Sequence, residues 1–309
     1  MSEKSTTFVP DMMLYPNCKI NLGLRVVRKR PDGYHDLETV FVPVYGLHDE
    51  LEVKPNPDPS LKGRENYLFT QEGIAVDCNP EDNLIIKCYR NFAKKYSKVG
   101  NVAIRFKKNI PFGAGLGGGS SDAAHMAMAL NELFELGLTK EELAAEVKPL
   151  GADCPFFIYN TPCYAEGIGD MLTPIDLDLK GVRIVLVKPD EGVSTKEAYS
   201  GIKPLNDTNC VRLMSAGKLL NGDAASQIND IFRNDFEATV FPKHPVIADI
   251  KKRLLDAGAF YASMSGSGST VFGLFKDDAE GRTHANLRLL EQEFASMVLL
   301  NDTFGEWKS

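Results

Sequence analysis

Residues 102–136 constrain this chain more than any other stretch. Residues 102–107 (VAIRFK) alternate apolar and polar side chains, which reads as a strand. They run into a loop with five glycines in seven residues, Gly113, Gly115, Gly117, Gly118 and Gly119, followed by Ser120 and Ser121. Glycine content alone makes this a loop. Residues 122–136 are then rich in strong helix formers, so the loop opens a helix. Backbone N–H groups of such a loop can converge on one point. The helix behind it adds unpaired N–H groups and the positive end of its dipole. That is the physics of a phosphate cradle, with two serine hydroxyls as further donors. A plain tight turn or a linker would also use the glycines, although linkers seldom sit between a strand and a well-formed helix.

The kind of cradle can be narrowed. A P-loop needs a lysine directly before its final Ser or Thr, and no lysine stands in this loop. Gly113, Gly115 and Gly118 do fit G-x-G-x-x-G. A dinucleotide fold, however, also needs an acidic residue ending a second strand about 20 residues on, whereas Glu132 and Glu135 fall within the helical stretch.

Elsewhere the chain mixes both element types. Strands are expected over 18–27, 38–44, 50–54, 155–159, 183–187, from Phe260, and over 270–275. Helices are expected over 81–97, 122–136, 209–220, 245–257 and 285–294. Thr139 and Glu142 have capping-box spacing. A turn is expected at 30–33, a polar loop at 55–63, and a second glycine–serine cluster, Ser265, Gly266, Ser267, Gly268 and Ser269, interrupts a strand pattern. With 309 residues, two domains are the expectation. The composition shift over 167–174 puts the divide there: a loose tail over 1–11, a first domain over 12–172 and a second over 173–309.

The formal charge of −7 argues against a general nucleic-acid or membrane-surface binder, so an anionic substrate must be drawn in by local chemistry. No apolar run reaches the ~20 residues of a membrane span, and the first residues lack a secretory pattern. The six cysteines make no C-x-x-C pair. They read as free thiols of a cytoplasmic protein rather than a zinc site or disulfide framework.

Three motifs, in order, resemble the signatures of the GHMP kinases. The loop carries the family's ATP-binding pattern as Pro111, then Gly115-Leu116-Gly117 and Gly119-Ser120-Ser121. Pro16-Asn17-Cys18-Lys19-Ile20-Asn21-Leu22-Gly23-Leu24 is similar to the N-terminal signature, and Met264-Ser265-Gly266-Ser267-Gly268 to the third. Two further segments resemble one branch of the family. They are Arg30-Pro31-Asp32-Gly33-Tyr34-His35-Asp36-Leu37 and Leu150-Gly151-Ala152-Asp153-Cys154-Pro155-Phe156-Phe157. That branch phosphorylates a hydroxyl of a methylerythritol unit joined to cytidine diphosphate, in the non-mevalonate route to isoprenoids. Cys18 and Cys154 stand where small or aliphatic residues are commoner.

The resemblance implies a two-domain α+β kinase. Its first domain would be like domain 2 of ribosomal protein S5 and its second ferredoxin-like. ATP would be co-substrate, bound by Pro111, Phe112, Gly113, Ala114, Gly115, Leu116, Gly117, Gly118, Gly119, Ser120 and Ser121. Read alone, Asp153 is a turn or capping aspartate before an apolar strand; the resemblance makes it the catalytic residue. Lys19 could lie on an exposed strand face, but the resemblance sets it beside that aspartate, where a cation would keep it ionised. Asn21 shares the strand face of Lys19. Tyr34 and His35 read alone as turn-flanking residues; the resemblance gives them the cytidine, an aromatic face and a hydrogen-bonding edge, with Tyr199 near the same pocket. Ser265, Gly266, Ser267 and Gly268 would offer N–H donors to substrate phosphates, a buried glycine bulge being the plainer alternative. Mg²⁺ is expected with ATP, but no carboxylate cluster marks a cage and no metal ligand is assigned. The partner is a small molecule carrying cytidine diphosphate, with no nucleic acid and no membrane. Other readings are another GHMP kinase of the mevalonate or homoserine type, a non-catalytic nucleotide sensor, and a dinucleotide oxidoreductase.

Overall fold

The computed structural model describes residues 11–56, 66–75, 79–204, 228–276, 282–294 and 297–305. Contacts divide the chain into two interleaved units. One gathers residues 1–16, 48–110 and 118–159, the other 17–47, 111–117 and 160–309.

The first unit is built on a four-stranded sheet. Its strands are β1 (Met12–Leu14), β4 (Glu50–Pro55), β5 (Tyr67–Gly73) and β6 (Val102–Lys108), in the order β1-β4-β6-β5. The β5–β6 pair is parallel and the others antiparallel. Val102, Ile104 and Phe106 of β6 point to the core and Arg105 and Lys107 to solvent, as a period of two requires. Its described residues form the α-helices α1 (Leu84–Lys95), α2 (Gly118–Leu133), α3 (Lys140–Val147) and α4 (Cys154–Tyr159). α1 buries Ile85, Ile86, Cys88, Tyr89 and Phe92 at helical spacing, and the Asn83 side chain accepts the N–H of Ile85 at its start. Thr139 and Glu142 close the capping box of α3.

The second unit has two four-stranded sheets. In one, β2 (Asn17–Lys29), β3 (His35–His48), β7 (Cys163–Glu166) and β8 (Met171–Pro174) lie in the order β2-β3-β7-β8. In the other, β9 (Val182–Val187), β10 (Tyr261–Met264), β11 (Val271–Lys276) and β12 (Val298–Thr303) follow the antiparallel order β10-β11-β9-β12. Its helices are α5 (Thr195–Tyr199), α6 (Ile228–Ile231), α7 (Glu237–Val240), α8 (Pro245–Asp256) and α9 (Arg282–Glu293). Ile247, Ile250 and Leu254 of α8 pack with Val185, Val187 and Val271 in its core.

Several expectations need correction. Residues 155–159 form helix α4, not a strand; a short apolar run carries no period that separates the two. The helix behind the glycine loop begins at Gly118, so Gly118, Gly119, Ser120 and Ser121 are its first turn rather than loop. The chain also forms β1, β5, β7, β8, β12, α5, α6 and α7, none of which the pattern predicts. The helix expected over 209–220 lies outside the described residues, as do Cys78 and Cys210, most of the loop over 55–63 and most of the tail over 1–11. Cys18, Cys88, Cys154 and Cys163 are buried. Among the described residues no helix is long and apolar enough to cross a membrane.

Candidate active site

β2 places Lys19 and Asn21 two residues apart on one face, and both are buried in the second unit, 3% and 2% exposed. A buried ammonium is tolerable only with partners. Lys19 Nζ donates to Asn21 Oδ1 (2.6 Å) and to the Gly115 carbonyl (3.1 Å), and lies 5.1 Å over the Phe41 ring. Asn21 Nδ2 in turn donates to Thr39 Oγ1 (3.0 Å) on β3. The exposed-face alternative for Lys19 is thereby removed.

The glycine loop lies along this face. Lys19 N–H donates to the Leu116 carbonyl (3.0 Å), and Ala114 and Leu116 are buried while Phe112 is 72% exposed. Gly115 has φ +76°, and a Cβ there would sit 2.0 Å from the Ser265 carbonyl oxygen. The Gly115 carbonyl also accepts from Ser265 Oγ (2.9 Å), and Thr270 N–H donates to the Ala114 carbonyl (3.3 Å). Thus Lys19, Asn21, the 113–117 part of the loop and the Ser265–Gly268 turn meet within one unit.

The residues that follow the loop belong to the first unit. The N–H groups of the first turn of α2 have no partner within the helix. Ser120 hydrogen-bonds the Cys154 thiol, which burial pushes up to about 12, so it stays protonated. Asp153 adjoins that thiol at the start of α4 and its charge raises the thiol further. Ser121 is buried, with Oγ 3.3 Å from His125 Nδ1. Burial lowers His125 to about 4, leaving the imidazole neutral, and its Nδ1 lies 2.8 Å from the Ser121 carbonyl.

Beneath this turn lies a network absent from the sequence reading. Lys108, at the end of β6, donates to Asp49 and to Asp122 Oδ2 (2.9 Å). Asp49 Oδ1 also accepts the N–H groups of Asn109 (2.6 Å) and Ile110 (2.8 Å). Burial raises the Asp122 carboxyl well above its usual range, Lys108 opposes that, and Asp49 adds to it. Alternation along β6 already points residue 108 inward with 102, 104 and 106, so a buried lysine at the mouth of the loop was the available signal.

At the far end of β2 a turn presents Tyr34, which is 62% exposed. Arg30 N–H donates to the Tyr34 carbonyl (2.8 Å), Tyr34 N–H to Asp32 Oδ1 (3.0 Å), and Arg28 and Arg30 pair with Asp36. His35 opens β3 and stacks on Tyr199, centroids 4.7 Å apart and planes 24° from parallel. Burial, then the charge of Lys29, lowers its pKa. Tyr199, the last residue of α5, meets Phe236 edge-on at 4.7 Å.

This combination of fold and glycine loop is that of a family of small-molecule kinases. Residues 83–161 match the GHMP kinases N terminal domain and residues 212–286 the GHMP kinases C terminal domain. The chain belongs to the GHMP kinase family. Among curated relatives, 4-diphosphocytidyl-2-C-methyl-D-erythritol kinase of Bacteroides thetaiotaomicron is 47% identical over 267 residues, 86% of this chain and 93% of that protein. The enzyme of the same name from Cytophaga hutchinsonii is 42% identical over 274 residues, 87% and 94% of the two chains. A crystal structure of 4-(cytidine 5'-diphospho)-2C-methyl-D-erythritol kinase aligns with TM-score 0.73 and 29% identity, covering 93% of this chain and 96% of that one. A homoserine kinase from Cytophaga hutchinsonii, 16% identical with TM-score 0.62 over 96% and 93%, shares the fold.

Proposed function

We propose that this chain is an ATP-dependent kinase that phosphorylates a hydroxyl of 4-diphosphocytidyl-2-C-methyl-D-erythritol in the non-mevalonate route to isoprenoid precursors. The likeness to the named relatives supports this reading, and one observation of the structure carries it to the substrate. The aromatic pair His35–Tyr199 and the Lys19–Asn21 pair belong to one unit, His35 on β3 and Lys19 and Asn21 on the neighbouring β2. Thr39, which accepts from Asn21, lies four residues along β3 from His35, about 13 Å at ordinary strand rise. That is the scale of a nucleoside diphosphate with a polyol attached, longer than mevalonate or homoserine.

In this reading the base lies against Tyr34, His35 and Tyr199. Of the turn Ser265, Gly266, Ser267 and Gly268, the first and last N–H groups are spent on the Thr270 and Ser265 carbonyls, so the phosphates of the substrate take donors from Gly266 and Ser267. The loop from Pro111 to Gly117 and the first turn of α2 (Gly118, Gly119, Ser120, Ser121) cradle the ATP phosphates. Asp153 accepts the proton of the attacking hydroxyl as its oxygen bonds to the γ-phosphorus and the bond to the β-phosphate oxygen breaks. Lys19 supplies positive charge to the reacting oxygens, with Asn21 holding its ammonium. Among the described residues no three His, Cys, Asp or Glu side chains gather as a metal cage. Mg²⁺ would come with ATP, held by its phosphate oxygens and water, and no side chain is assigned to it. When bound, the ion neutralises charge on the β- and γ-oxygens.

The test is ADP release with ATP, Mg²⁺ and a panel of alcohols. The cytidine-diphosphate substrate should turn over while mevalonate, homoserine and galactose stay near background. Equal turnover of mevalonate would refute the substrate assignment and leave the kinase class standing.

A further inference from the structure

A short segment that no motif singled out, Arg233-Asn234-Asp235-Phe236-Glu237, touches three candidate parts of the site within the second unit. Its backbone pairs with β2: Leu24 N–H donates to the Arg233 carbonyl (3.1 Å) and Asp235 N–H to the Leu24 carbonyl (2.8 Å). Asp235 Oδ2 accepts the Val26 N–H (2.8 Å). Phe236 backs the Tyr199 ring that stacks on His35. Asn234, 3% exposed, reaches the glycine–serine turn. Its Nδ2 donates both hydrogens, one to the Met264 carbonyl (2.7 Å) and one to the Gly266 carbonyl (2.8 Å), while its Oδ1 accepts the Phe236 N–H (3.0 Å). Glu237 Oε1 accepts the Met264 N–H (2.9 Å) and Ser263 Oγ–H (3.1 Å), and Lys251 Nζ donates to its Oε2 (2.6 Å).

We propose that Asn234 is a positioning residue that, with Glu237 behind it, sets the backbone of the Ser265–Gly268 turn for substrate binding. The chemistry is specific to a carboxamide. Two carbonyl oxygens from either side of Ser265 converge on one nitrogen, and only an amide offers them two donors while presenting an acceptor to Phe236 N–H. With those carbonyls held, the 264–265 and 266–267 peptide planes cannot rotate, so the direction of the Ser267 N–H is decided before substrate arrives. A carboxylate at 234 would face two carbonyl oxygens with no proton to share, in a buried place.

The inference rests on the proposed function only for the substrate used in its kinetic arm. Asn234→Asp, nearly isosteric, is compared with wild type by hydrogen–deuterium exchange over 264–270 and by ADP-release kinetics. Exchange in that segment should rise well above that of β9 and β11. KM for the cytidine-diphosphate substrate should rise about tenfold to a hundredfold, the scale of two buried donors lost, while KM for ATP changes less than about threefold. Asn234→Ala, which removes both donors without adding charge, gives the same readings if the first variant fails to fold. Unchanged exchange over 264–270, or equal rises in both KM values, overturns the positioning role. If exchange rises and wild type is silent with the cytidine substrate, the positioning role stands and the substrate assignment falls.

Discussion

Gly115→Ala tests the central contact of the site against an internal control. Both Gly113 (φ +64°) and Gly115 (φ +76°) occupy the left-handed region, where an added Cβ costs roughly 1–2 kcal/mol. At Gly113 that Cβ would meet nothing within 4 Å; at Gly115 it would lie 2.0 Å from the Ser265 oxygen and 3.1 Å from that of Gly268. Ordinary contact is ~3.5 Å, so relief needs about 1.5 Å of movement between two backbones. The Ser265 side cannot yield cheaply, because Ser265 N–H donates to the Thr270 carbonyl (2.9 Å) in the hairpin stem. The same movement breaks the bonds from Lys19 Nζ and Ser265 Oγ to the Gly115 carbonyl. Overpacking adds roughly 1–3 kcal/mol, so Gly115→Ala should lose about 2–5 kcal/mol of stability and Gly113→Ala about 1–2. Because a displacement near 1 Å can cost ~10²-fold, kcat/KM should fall about a hundredfold in Gly115→Ala. Urea unfolding and coupled ADP release measure both quantities. Equal stability losses in the two variants, with Gly115→Ala turning over within about threefold of wild type, would refute the argument.

Asp153→Asn should lower kcat about a hundredfold or more with melting temperature and ATP affinity intact, the loss expected for a positioned proton acceptor; normal turnover would make Asp153 a turn residue only. Tyr34→Ala and His35→Ala should each raise KM for the cytidine substrate more than they lower kcat, and weaken CMP in a titration without touching ATP. Unchanged CMP affinity in both would move the base to Tyr199 alone or elsewhere. A pH series of denaturant unfolding should register His125. Its folded pKa of about 4 lies below the ordinary 6.5, so the unfolded chain binds the proton first and stability falls as pH drops from 6.5 toward 4. His125→Leu should flatten that slope, and a slope left unchanged would show that other groups carry it.

The part of this protein legible in its sequence is local. β6, the loop and α2 are legible because period-two alternation, glycine content and helix propensity act over a few residues. The capping box of α3 is legible because Thr139 and Glu142 lie within one helical turn. Motif order was enough to draw Lys19, the glycine loop and Ser265–Gly268 into one family pattern. Where local signals were short they misled: Pro155–Tyr159 is apolar without a period, and it is a helix. Only the tertiary structure decided that Lys19 is buried against Gly115, that Tyr199 covers His35, and that Asn234 braces the glycine–serine turn. The physical reason is chain separation. Gly115 and Ser265 stand 150 residues apart, and nothing in either neighbourhood says that a Cβ on one would strike the carbonyl of the other. Burial works the same way: β6 alternation alone turns Lys108 inward, but Asp49 and Asp122 become its partners only when β4 and α2 close around it.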